Sequence, residues 1–188
     1  VTFAQYRAVY DWAVAHGYEF DHGGEMGSIA YWGFGDDWKP GVRTADEPVT
    51  GVSHSDALIW LNALSELEGR TPIYHADPEC RQVLRRMVHY RPVMASPPPP
   101  AEGGNRVFSE PGLVPGLERL STPFFVRAEA DGYRLPTYAE FRHAAFAGGQ
   151  GKFPWGDDPG GGADFAWLAD WSGFQTHPVG RKRPNAFG

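Results

Sequence analysis

Gly132-Tyr-Arg-Leu-Pro-Thr-Tyr-Ala-Glu-Phe-Arg-His-Ala-Ala-Phe-Ala-Gly-Gly149, followed shortly by Phe153-Pro-Trp-Gly156, is the stretch on which the reading of this chain turns. Tyr133 and Leu135 form a short β-type run. Pro136 interrupts it and holds the preceding residue extended. Thr137 stands where a helix N-cap belongs, and Glu140 follows at capping-box spacing. Phe141, Ala144 and Ala145 then give one apolar helical face, and Gly148 and Gly149 end the helix. The stretch predicts a strand, a cap and a helix at the centre of the fold. Taken alone, its residues carry structure rather than chemistry.

Working outward, the same grammar recurs. Thr2 and Gln5 form a second capping box, opening a helix of about 14 residues that Gly17 closes. Phe3, Tyr6, Val9, Tyr10, Ala13 and Val14 supply its apolar face. Ser53 and Asp56 repeat the cap pattern before Ala57, Leu58, Leu61, Leu64 and Leu67, with Gly69 as the stop. Pro48–Val52 and Thr71–His75 are strand candidates, and Asp77–Arg91 reads as a short helix with Leu84, Met87 and Val88 inside. Between the first helix and Pro48 lies a Gly-rich ordered loop carrying Tyr31, Trp32, Phe34 and Trp38. Four consecutive prolines, Pro97–Pro100, exclude helix and central strand, so about 92–122 reads as an inserted surface loop.

Composition bounds the function. The chain has 188 residues, a formal net charge of -6 and aromatics at 14%. One domain with a sizeable core fits this length. Gly (24) and Pro (17) make up more than a fifth of the residues, yet the aromatic content is not that of a disordered chain. A loop-rich domain with an aromatic core is implied. The acidic balance argues against a broad nucleic-acid surface, and Arg181-Lys182-Arg183 is too short to reverse it. No apolar run approaches the length of a membrane span.

Cys80 is the one cysteine, so no intrachain disulfide and no cysteine-based zinc site can form. There is no Gly-x-Ser-x-Gly elbow, P-loop, dinucleotide fingerprint or zincin pair of histidines. His143 reads as a packing residue or a surface hydrogen-bonding one, and His177, before a proline, as a side-chain-to-backbone hydrogen bond. The Asp157-Asp158 and Asp164–Asp170 stretches lie in Gly-rich loops, the setting from which hard cations draw oxygen ligands.

Together these pieces resemble the formylglycine-generating enzyme family, the sulfatase-modifying factor domain. Val1-Thr-Phe-Ala-Gln-Tyr6 is similar to its first-helix signature, and Pro48–Ala57 with Leu61–Glu66 to its second helix. Tyr133–Phe141 with Pro154-Trp-Gly156 is its most specific segment, and Thr176–Gly180 with Pro184–Gly188 its next. Ala166-Trp167 before Ser172-Gly173 is similar to a bacterial-type version, while Tyr138, Phe141, His143 and Phe146 depart from the usual pattern. The resemblance implies one irregular α+β domain of the C-type lectin-like fold, spanning 1–188. It implies a chain truncated at both ends.

In full-length members a copper-binding cysteine pair uses oxygen to oxidise a substrate cysteine, in a protein or peptide, to formylglycine. Cys80 matches neither catalytic cysteine, so no catalytic or cofactor-binding residue is assigned, copper is not expected here and the chain is expected to be inactive alone. The alternative is a non-catalytic lectin-like binding, display or accessory module. The family also implies structural calcium, for which Asp164, the Phe165 carbonyl and Asp170 are the candidates. No nucleic-acid partner is expected.

Overall fold

The computed structural model describes residues 1–28, 43–87, 91–92, 117–118 and 123–188. Helix α1, Phe3–Ala15, starts at Thr2 with a full capping box, and Gly17 leaves it at a left-handed φ of 81°. Helix α2, His54–Leu67, starts at Ser53 with the reciprocal box to Asp56. These two helices carry the core. Tyr6 stacks on Trp60 with ring centroids 5.8 Å apart, and the Trp60 indole N–H donates to the Tyr6 carbonyl at 3.0 Å. Tyr6, Val9 and Ala13 of α1 and Leu58, Ile59 and Ala63 of α2 are buried in one cluster with Tyr18, Ile73, Tyr74, Leu84 and Met87. Each fully buried aliphatic side chain of this kind contributes about 1.5–3 kcal/mol.

The strands among the described residues are two residues long and form three antiparallel pairs. β1 (Glu25–Met26) pairs with β2 (Val49–Thr50), and β3 (Tyr74–His75) with β6 (Phe125–Val126). β4 (Arg91–Pro92) pairs with β5 (Leu117–Glu118). The architecture is α+β with little regular secondary structure, as expected. α2 also acts as a strand substitute. The buried Asn62 amide donates to the carbonyls of Tyr74 and Leu84 at 2.7 and 3.1 Å and accepts from the Tyr74 N–H at 3.1 Å. A short ladder is thereby tied to a helix, with three backbone groups satisfied by one buried amide.

Three expectations are corrected. Asp77–Arg91 is not a helix over its described part. Pro78 and a carboxylate that turns back on its own backbone prevent it: Asp77 accepts the N–H groups of Arg81 and Gln82 at 3.1 and 2.6 Å. Cys80 takes a left-handed φ of 53°, and the chain leaves as a bridge beside β3. Tyr133–Leu135 is not a strand. The Tyr133 N–H donates to the Ser65 hydroxyl and that of Leu135 to the Tyr74 hydroxyl, so side chains replace a ladder.

The third concerns helix α3, Tyr138–Phe146, which forms where expected but has no buried residue. Tyr138 is 77% exposed and Phe141 62%. Local capping makes this helix, while α1 and α2 make the core. Much of the Gly-rich aromatic loop, Val88 and nearly all of the 92–122 insertion lie outside the described residues.

Candidate functional site

The segment proposed to hold calcium begins in the last residues of a 3-10 helix, Pro159–Asp164, whose cap is Asp158 accepting the Gly160 N–H at 2.9 Å. Gly162 is wedged between two indoles: an added Cβ would lie 2.6 Å from Trp155 and 2.8 Å from Trp171. Beyond it, the chain is gripped by the turn that returns after Gly180. The Arg183 N–H donates to the Asp164 carbonyl at 2.9 Å, and its guanidinium reaches the Asp164 carboxylate at 3.3 Å. The Lys182 ammonium donates to the Ala163 carbonyl and sits 3.6 Å from the centre of the Trp167 ring. The opposite partner of Trp167 is His177, stacked at 3.9 Å, whose Nε2 pairs with the Ser172 carbonyl at 2.7 Å as expected of a pre-proline histidine.

A calcium shell requires several free oxygens around one point. Of the three candidate donors, the Asp164 carboxylate is already engaged. The Asp164 carboxylate and the Ala163 carbonyl already face cations, and Arg183 lies 5.4 Å over the Phe165 ring. Asp170 belongs to the short helix α4, Ala169–Ser172, and its side chain lies outside the described residues. Among the described residues, no group of three or more His, Cys, Asp or Glu could hold a metal ion.

The remaining candidates are also separated. Cys80 sits in the Asp77 turn described above. His143 packs its ring 5.2 Å from Phe187. The neighbouring Asn185 amide donates to the Ala144 and Ala145 carbonyls at 2.7 and 3.1 Å, capping the end of α3 from outside. An open groove of about 670 Å³ runs beside the β3–β6 ladder, lined among others by Tyr74, Arg127, Asp131, Arg134, Leu135 and Thr137. Its rim is braced by a two-pronged ion pair, Arg134 to Glu140 at 2.7 Å on both oxygens. This pair draws the exposed Glu140 carboxyl well below the usual carboxylate range, helped by hydrogen bonds from Thr137.

A second polar cluster was not legible in the sequence. Glu47, 3% exposed, accepts from Arg43 at 2.9 Å and from the Thr176 hydroxyl at 2.5 Å. The Thr176 N–H donates to the Ser28 carbonyl and the Ser28 N–H to the Thr176 hydroxyl, and the Val179 N–H donates to the Asp46 carbonyl. Gly27 lets these groups meet: it has a φ of 64°, and an added Cβ would fall 2.1 Å from both Arg43 and Glu47 side chains. The cluster pins the segment after α4 to the β1–β2 pair, across nearly the whole sequence.

The profile of the sulfatase-modifying factor enzyme 1-like domain matches residues 1–188. The chain belongs to this family. Among solved structures, the sulfatase-modifying-factor domain is similar to the crystal structure of CarF, with 29% identity and a TM-score of 0.60. That match covers 99% of this chain and 59% of CarF. Treponema denticola variable protein 1 is similar in fold, with 22% identity and a TM-score of 0.58, over 100% of this chain and 54% of that one. The domain therefore spans less than two thirds of the length of either neighbour. A comparison with curated protein sequences finds no match. No helix among the described residues is long and apolar enough to cross a membrane.

Proposed function

We propose that this sulfatase-modifying-factor domain is a scaffold that presents a ligand groove and does not oxidise cysteine by itself. The observation that carries the reading is the single cysteine. The family's chemistry needs a pair of cysteines to hold copper, and Cys80 lies alone in a tight turn closed by Asp77. A lone thiolate offers one soft ligand, too few for a tight copper(I) centre. A copper(I) titration against a coloured competitor tests this. The expected result is no stoichiometric tight site; one equivalent bound tightly, and lost in Cys80→Ser, would overturn the reading.

A second reading, a non-catalytic lectin-like binding or accessory module, is favoured by the groove beside β3–β6. It joins apolar Leu135 and Tyr74 to polar Arg127 and Asp131, the mixed lining of a ligand site. A protein or peptide substrate belongs to the family's catalytic reading; the binding-module reading assigns no ligand class.

A further inference from the structure

The sulfatase-modifying factor family implies a structural calcium ion at the 163–167 segment, and in this chain Arg183 pairs with the Asp164 carboxylate, one of its candidate donors, while Lys182 holds the adjacent Ala163 carbonyl. The register is fixed by the backbone: the Arg183 N–H on the Asp164 carbonyl holds the two segments together at 2.9 Å. That contact places residue 182 over the Ala163 carbonyl and residue 183 beside the Asp164 carboxylate.

The two cations are not equal. The Arg183–Asp164 pair is exposed, with side chains 70% and 64% accessible, and exposed pairs contribute little. Lys182 is partly buried, and its ammonium has a carbonyl on one side and the Trp167 ring face 3.6 Å away on another. A partly desolvated ammonium on an indole is a favourable site for a single positive charge. Trp167 is itself held by its stack on His177. A divalent ion binding the Asp164 carboxylate would have to displace Arg183 and would sit close to the Lys182 ammonium.

We infer that Lys182 and Arg183 are built-in cations that take the place of a structural divalent ion at residues 163–167, so that the fold of this domain is independent of calcium. Their combined charge equals that of the ion they replace. The inference holds whether or not the domain oxidises cysteine.

The test is thermal unfolding of the full 188-residue chain, with excess chelator and again with millimolar calcium chloride. The expected result is one Tm in both conditions. Lys182→Met is expected to lower it by about 2–4 °C, with exposed Lys152→Met as the control that leaves it unchanged. A saturable rise in the wild-type Tm with calcium would overturn the inference, as would a Lys182→Met variant with unchanged Tm. If Lys182→Met does not fold, the wild-type comparison still decides.

Discussion

The Asp56 carboxylate, fully buried at the start of α2, receives hydrogen bonds from the Ser53 amide and hydroxyl, from the Asp21 amide at 2.8 Å and from His22 at 3.0 Å. It caps the helix and ties down the loop after α1 at once. Burial opposes its charge, but these donors outweigh burial and hold the carboxyl below the usual carboxylate range. A carboxylate with a depressed folded pKa contributes stability that is present above its unfolded value, about 3.9, and is lost as pH falls through the lower folded value. Asp56→Asn is therefore expected to cost about 2–3 kcal/mol at neutral pH and to weaken the fall in stability below about pH 4. Urea unfolding followed across that range checks both. An unchanged profile in the variant would show that the charge of Asp56 plays no part. The cap to Ser53 was legible from spacing, because it is local. The bonds to Asp21 and His22 were not, because nothing in the sequence says which loop folds over a helix start.

At the scale of elements, α3 separates the signal for a helix from the signal for a core. Thr137 and Glu140 close the capping box, Arg134 clamps Glu140, and Asn185 caps the far end. With no buried residue, α3 rests on these end groups. Thr137→Ala is expected to cost about 1 kcal/mol locally. Amide exchange within α3 should then rise roughly fivefold, while α1 and α2 keep their protection. Equal loss of protection in α1 and α2 would mean that α3 unfolds only with the core. All three long helices were legible because caps and glycine stops lie within a few residues of each other. The Asp77–Arg91 helix was misread because the apolar spacing at Leu84 and Met87 outweighed Pro78 and the Asp77 carboxylate that closes the turn onto Arg81 and Gln82. β1 escaped notice because a two-residue strand has no periodicity to read.

For the whole molecule, fold and family were legible because several motifs agree in order along the chain, and the match over residues 1–188 bears them out. The contacts that close the molecule were not. Glu47 meets Thr176, and Asp164 meets Arg183, through turns whose geometry no local pattern fixes. The Arg181-Lys182-Arg183 triplet was the available signal for the second of these. Of the three, Lys182 is half-buried against Trp167, while Arg181 and Arg183 stay exposed. Lys182 faces the Ala163 carbonyl and Arg183 the Asp164 carboxylate, so these contacts close the end of the chain onto the 163–164 segment. The central claim is that the 188 residues do not by themselves turn cysteine into formylglycine. The direct measurement is to incubate the chain with copper, oxygen and a cysteine-containing peptide and to weigh the peptide by mass spectrometry. The account predicts that no formylglycine forms; catalytic conversion to the aldehyde, more than one per chain, would contradict it.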